Sequence, residues 1–362
     1  MSNLSGQILL SKRPYVIAGP CSAESKEQMM DISRQIVINN SVQMLRAGIW
    51  KPRTRPDSFE GMGEVALPWL VNAGKETGLL TCTEVANKKH VELALKEGVD
   101  VLWVGARTTV NPFTVQEIAE SLKGVDIPVM IKNPVNPDLQ LWLGAFERFE
   151  KVGINDLIGI HRGFSVYNHP KYRNVPSWEI PIRFKEVRPE IPIICDPSHI
   201  TGNKELLSEV SQKAMDLNFE GLMIETHNNP SEAMSDAAQQ VTPDNLKNIL
   251  DLLVLRDHKV SSDVATLIND LRDKLNTLDD QLFEVLSERM QMSEEVGKLK
   301  RENNITILQQ QHWRNVISSR LDNSDKYNLT PIFVRKLMDA IHQESIRHQT
   351  AVMNPKKIKT NE

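Results

Sequence analysis

The sequence predicts an α/β fold, a (β/α)8 TIM barrel, followed by an all-α helical domain that dimerises. Three observations carry this. Eight short apolar runs recur in the first 225 residues and alternate with amphipathic stretches, the pattern of buried parallel strands covered by helices. A residue able to grip a metal or an anion follows each run within a few positions, as expected where barrel strands end at an active site. Past residue 263 the period changes from strand-like runs to a sustained helical repeat.

In order, the runs are Tyr15 to Ala18, Val42 to Leu45, Leu79 to Thr83, Val101 to Gly105, Pro128 to Ile131, Leu157 to Ile160, Pro192 to Cys195 and Gly221 to Ile224. Behind them stand Cys21, Arg46 with Lys51, Glu84, Arg107, Lys132, His161 with Arg162, His199, and Glu225. Covering helices are expected at Lys26 to Asn39, Lys88 to Glu97, Val115 to Lys123 and Glu205 to Leu217. A last barrel helix, Asn245 to Leu255, follows a start signal in which Thr242 caps and Pro243 occupies the first turn. The domains are therefore 1–255, a polar linker at 256–263, a helical domain at 264–351 and a tail at 352–362. In the helical domain Leu267, Leu271, Leu275, Leu278, Leu282, Leu286 and Met290 recur at threes and fours, giving one helix from Val264 to Arg301 about 55 Å long. Two shorter helices follow, near Leu308 to Leu321 and Thr330 to Gln349, too few to bury a core without self-association.

Composition narrows the function. A net charge of −4 over 362 residues offers no field for nucleic acid or an acidic membrane. The first residues lack the basic start and apolar core of a secretory signal, and no stretch reaches the roughly 20 apolar residues of a membrane span, so the expectation is a soluble cytoplasmic protein. Cys21, Cys82 and Cys195 are too scattered for a disulfide framework. Gly61 and Gly63 with Ala66 mimic a dinucleotide fingerprint but follow a polar segment instead of a buried strand.

Strands one, seven and eight of a closed barrel adjoin, so Cys21, His199, Glu225 and Asp236 can converge. Each alone has an ordinary structural explanation, but together they mix soft and hard donors and suit a borderline divalent metal acting as a Lewis acid. His227 is a competing ligand. Arg46, Lys51, Arg53, Arg107, Lys132 and Arg162 would crowd one pocket with positive charge, which implies small ligands carrying several negative charges.

The segments AGPCSAES (18–25), LRAGIWKPRT (45–54), GART (105–108), IKNP (131–134), GIHRGFS (159–165), DPSH (196–199) and IETHNNPSEAMSDAAQQ (224–240) resemble 3-deoxy-D-arabino-heptulosonate 7-phosphate (DAHP) synthase, type I beta. The resemblance spans about residues 13 to 250 and implies condensation of phosphoenolpyruvate with erythrose 4-phosphate, the entry to aromatic amino acid biosynthesis. It implies that Cys21, His199, Glu225 and Asp236 hold the metal, Mn2+ first, with Zn2+, Fe2+ or Co2+ as alternatives. It further implies that Arg107 and Arg162 grip the phosphoenolpyruvate phosphate, Arg46, Lys51 and Lys132 its carboxylate side, and Arg53 with Thr54 the erythrose 4-phosphate phosphate. Lys132 is the preferred proton donor, with Lys51 and His161 as rivals. Some type I beta members carry a ferredoxin-like domain before the barrel, and the start of strand one at Tyr15 leaves it no room in this sequence. The related 3-deoxy-octulosonate 8-phosphate synthases share the barrel but lack the KPRT form of residues 51–54.

In the tail, Arg289 and Lys300 are eleven residues apart, about 20° round a helix, whereas Arg272 lies about 25 Å from Arg289 along the axis. One small ligand can meet all three only if a second chain supplies Arg272. Residues 271–300 with ESIRHQ (344–349) resemble the all-helical chorismate mutases, intertwined dimers that turn chorismate into prephenate. The resemblance implies that the partner subunit's Arg272 and this chain's Arg289 bind the carboxylates, Lys300 and Gln349 the ether oxygen, Ser345 the substrate and Gln309 its hydroxyl. Many members carry an Asp-x-x-Arg-Glu run where this chain aligns Gln309, His312 and Trp313. The competing expectation is a dimerisation module that binds chorismate or prephenate, with prephenate inhibiting the barrel, and the two are compatible.

Overall fold

The computed structural model describes residues 3–38, 41–52, 57–167, 169–256 and 262–354, and the chain divides after residue 256 into two compact units. The first unit is a closed barrel of eight parallel strands in sequence order. They are β1 (Tyr15–Gly19), β2 (Met44–Arg46), β3 (Leu80–Val85), β4 (Val101–Val104), β5 (Val129–Lys132), β6 (Leu157–His161), β7 (Ile193–Cys195) and β8 (Gly221–Glu225). Closure is made by β1 against β8, with Tyr15 opposite Gly221 and Gly19 opposite Glu225.

Alternation along the strands sorts side chains into two shells. Ile17, Met44, Cys82, Val101, Trp103, Met130, Ile158, Ile160, Ile194 and Met223 point inward and fill the barrel. Outward residues such as Leu45, Leu102, Ile131, Leu157 and Ile193 pack on the helices, with Trp142, Phe146 and Phe184 among the largest buried partners. Four of the covering helices begin at side-chain caps that stop the preceding loop: Ser25, Asn87, Asp138 and Thr242 each accept a backbone N–H of the first turn. Thr242 caps and Pro243 starts the helix Pro243–Asp251, as the start signal suggested, but the helix ends four residues short of the expected Leu255.

A short helix that the sequence reading did not foresee, Leu4–Leu10, precedes the barrel. Leu4 and Ile8 join the inner cluster, and the backbone N–H groups of Leu4 and Ser5 both donate to the Asp156 carboxylate at 2.7 Å. Asp156 directly precedes β6, so this helix plugs the end of the barrel opposite the strand carboxyl termini.

The second unit comprises the helices Ser262–Glu302, Gln310–Asp322 and Pro331–Met353. The 41-residue first helix lies mainly along the third, and Gly297 permits the approach, since a Cβ there would meet Val352 Cγ2 at 2.6 Å. Leu267, Leu271, Leu275, Leu278 and Leu282 remain 49 to 63% exposed in the single chain. No described helix is long and apolar enough to cross a membrane.

Candidate active sites in the barrel and the helical unit

On five of the strands the inward position that follows the apolar filling carries a charged side chain. It is Arg46 on β2, Glu84 on β3, Lys132 on β5 and Glu225 on β8, with Asp196 just past β7. They meet at the carboxyl ends of the strands, beneath and around a cavity of about 680 Å3 lined by Lys51, Glu84, Arg107, Lys132, Arg162, Arg173, His199 and Asp236, among others. Arg46 is buried behind that lining, 3.1 Å from Glu225 and 5.1 Å from the centre of the Trp103 ring. The Trp103 indole donates to Glu84 at 2.9 Å.

Loops after β1 and β8 are stitched together, which brings Cys21 to Asp236. The Cys21 N–H donates to Gln240 Oε1 at 2.9 Å, Met234 N–H to Glu24 Oε1 at 2.9 Å, and the Ser22 and Ser235 hydroxyls pair. Gly19 at φ +140° admits this path, because a Cβ there would stand 2.1 Å from the Arg46 carbonyl oxygen. Donor atoms of Cys21, Glu225 and Asp236 then lie within 4.8 Å of one another, and His199 Nε2 is 3.8 Å from Glu225 Oε1. Lys51 Nζ is 2.8 Å from the Cys21 carbonyl oxygen and 2.9 Å from its Sγ. Arg173 donates to Asp236 Oδ1 at 3.0 Å and to Gln239 at 2.7 Å, and Gln239 donates to Glu225 Oε2 at 2.6 Å.

Burial raises the Cys21 thiol to about 12, with Glu225 adding to the effect and Lys51 opposing it. Burial also raises the Glu225 carboxyl, but His199, Arg46 and Lys51 outweigh it and hold the group below its ordinary value. For Arg162, burial, assisted by Arg173 and Arg107, lowers the pKa to about 10.

The donor set suits a divalent cation. Glu225 Oε1 is buried without a hydrogen bond, and Arg46 Nε and Nη1 are likewise unpaired among the described groups. A cation beside Glu225 and an anion beside Arg46 would complete both. Cys21, His199, Glu225 and Asp236 are thus brought together, and so are Arg46, Lys51, Arg107, Lys132 and Arg162. Arg53 and Thr54 lie outside the described residues.

Two expectations need correction. His161 does not face the cavity: on β6 the inward residues are Ile158 and Ile160, so His161 turns outward among Phe164, Trp178 and Phe219. His227 is not part of the donor cluster, since its Nδ1 accepts from Asn229 N–H at 2.9 Å and its Nε2 faces Glu24 at 3.5 Å.

The buried His161 makes a pH prediction. Neither ring nitrogen makes a well-formed hydrogen bond; burial, then the neighbouring Arg162 charge, pushes its pKa down to about 3. The unfolded chain takes up the proton near pH 6.5 and the folded one only near 3, so stability is full above 6.5 and declines as pH falls between those values. Between pH 7.5 and 4.5 the wild type should lose about 2 to 3 kcal/mol more than His161→Leu in denaturant unfolding. Equal losses in the two proteins would show that His161 is not held neutral.

In the helical unit, Arg289, Lys300, Gln309, Ser345 and Gln349 line a second cavity of about 350 Å3. Arg289 donates to Ser345 Oγ, and Lys300 Nζ reaches the Ile307 carbonyl oxygen at 2.6 Å and Gln349 Oε1 at 3.2 Å. Arg272 is exposed, and its described hydrogen bond is to Asn269, outside this cavity. The sequence reading missed His342, which lies face to face on Trp313 at 3.7 Å and lines the cavity; its place three residues before Ser345, on one helix face, was the available signal.

Fold and site together define a (β/α)8 barrel whose strand ends gather a Cys, carboxylate and imidazole cluster beside a cavity lined by Arg and Lys side chains. The chain belongs to the DAHP synthetase I family, whose model matches residues 8–261, and a second model, chorismate mutase type II, matches residues 271–350. Among curated relatives, the phospho-2-dehydro-3-deoxyheptonate aldolase of Thermotoga maritima is 30% identical over 226 residues, 62% of this chain. The chain spans 64% of that relative's length. The 2-dehydro-3-deoxyphosphooctonate aldolase of Polaromonas naphthalenivorans is 25% identical over 267 residues, covering 67% of this chain and 90% of that protein. A crystal structure of the Thermotoga maritima enzyme, described as a DAHP synthase, superposes with a TM-score of 0.59 at 27% identity over 66% of this chain and 67% of its own.

Proposed function

We propose that the chain is bifunctional: the barrel condenses phosphoenolpyruvate with erythrose 4-phosphate to DAHP and phosphate, and the helical unit rearranges chorismate to prephenate. The observation that carries the first half is the Cys21, Glu225 and Asp236 cluster, with His199 beside it, under a cavity lined by cations. A divalent cation bound there would supply Lewis-acid polarisation of the aldehyde carbonyl. Arg107 and Arg162 bind the phosphate of phosphoenolpyruvate, while Arg46, Lys51 and Lys132 neutralise its carboxylate side. So held, C3 attacks the aldehyde carbon and forms the new C–C bond. Lys132 gives the aldehyde oxygen its proton; Lys51, bound to Cys21, is the rival donor. Water adds at C2, and phosphate leaves as the C2–O bond breaks, giving the 2-keto acid.

For the second half, Arg289 binds a carboxylate, and Lys300 and Gln349 hydrogen-bond the ether oxygen as charge develops there. The partner subunit's Arg272 completes the site in a dimer formed over the exposed leucine stripe. Prephenate bound in the helical cavity inhibits the barrel.

The test assays both reactions in the full chain with Mn2+ and after chelation. The expected result is DAHP formation that needs the metal and falls with added prephenate, and chorismate turnover that ignores the chelator. Preference for a five-carbon sugar phosphate would instead assign the barrel to the octulosonate reaction. DAHP formation undiminished by chelation would remove the metal chemistry.

A further inference from the structure

We infer that Asp196 is a positioning residue shared by the two halves of the barrel site: one buried carboxylate both aims His199 and holds the Lys132 ammonium. The inference rests on the proposed barrel site and adds a residue that neither the sequence reading nor the proposed mechanism uses. Asp196 follows Ile194 at the next inward position of the β7 segment and is fully buried. Its Oδ2 lies 2.9 Å from Lys132 Nζ, the His199 Nδ1 sits across both oxygens at 3.0 Å from Oδ1 and 2.8 Å from Oδ2, and Oδ1 also accepts the His199 backbone N–H at 3.1 Å.

The chemistry of these contacts is restrictive. An ionised carboxylate only accepts, so the His199 ring must present a proton at Nδ1, which leaves the Nε2 lone pair free. That nitrogen is the one nearer Glu225 Oε1, at 3.8 Å. Asp196 therefore fixes both the tautomer and the direction a metal ligand needs. Lys132 is equally dependent on it, because a buried ammonium without a counter-charge is costly. Since both partners share one carboxylate, an anion that draws the Lys132 charge towards itself leaves more of it to His199. Cation and anion should thus promote each other's binding through Asp196, and reciprocally.

The experiment titrates Mn2+ into the metal-free full chain by calorimetry, with and without saturating inorganic phosphate, for wild type and Asp196→Asn. Asparagine keeps an acceptor but loses the charge. The expected result is a Mn2+ Kd raised about 10- to 100-fold in Asp196→Asn, and a smaller gain on adding phosphate than in wild type. Mn2+ affinity within about twofold of wild type in a folded Asp196→Asn would overturn the inference. A second measurement does not need the variant to fold: nitrogen-proton NMR of histidine-labelled wild type, assigned with His199→Gln. An Nδ1-protonated His199 is expected, and an Nε2-protonated ring in the metal-free protein would overturn the inference. Wild type that binds no Mn2+ while His199 shows the Nδ1-protonated form would instead refute the proposed metal site and leave the positioning of His199 intact.

Discussion

Cys21→Ala is expected to lower DAHP formation by about 10^3-fold or more, the equivalent of roughly 4 kcal/mol of transition-state stabilisation. The thiol is the only soft donor in the Cys21, Glu225, Asp236 and His199 group, and it stands in contact with Lys51 and, at 3.3 Å, with Asp236. Removing it does more than delete one ligand. Lys51 loses a partner, and Asp236 is left to Arg173. Because burial holds the thiol near 12, a cation must displace its proton, so metal affinity should strengthen as pH rises through the neutral range. Metal content after gel filtration, together with initial rates at saturating Mn2+, provides the check. A variant that retained wild-type turnover under strict chelation would refute the role of Cys21. Cys21→Ser should bind a cation weakly and shift preference towards harder ions.

Lys300→Ala is expected to reduce chorismate turnover by about 10^2- to 10^3-fold, mostly in kcat. Its ammonium bridges the Ile307 carbonyl and Gln349, which fixes it towards the cavity before any ligand arrives. Burial lowers the Lys300 pKa from its ordinary value. A hydrogen bond to an oxygen that gains charge as the C–O bond breaks is stronger in the transition state than in the ground state, hence the effect on kcat. Arg289→Ala should act differently. If it removes the proposed carboxylate contact, which is present throughout the reaction, KM should rise more than kcat falls. Steady-state kinetics of both variants with chorismate decides the matter, and unchanged kcat in Lys300→Ala would leave the helical unit as a binding module.

Strand parity explains much of what could be read from the sequence and what could not. Arg46, Lys132 and Glu225 stand one alternation beyond the inward residues Met44, Met130 and Met223, so their convergence follows from period two once the strands are located. The same count applied to β6 rejects His161, and applied to β7 it selects Asp196. Residue type alone does not separate His161 from its neighbour Arg162 on β6, nor single out Asp196 beside His199; parity does both. Other features have no local signal. The Leu4–Leu10 helix is held by a carboxylate 152 residues away, and the His342 and Trp313 stack joins two helices whose pairing only tertiary structure sets.

The plug helix also bears on the order of assembly. Its first turn is completed by Asp156, and β1 is completed by β8, more than 200 positions later in the chain. Neither can be satisfied while the intervening chain is still being synthesised, and closing so wide a loop is entropically slow. The segment from Leu4 to Gly19 should therefore be among the last to gain protection from hydrogen exchange during refolding, after the helices and strands of the middle of the barrel have consolidated.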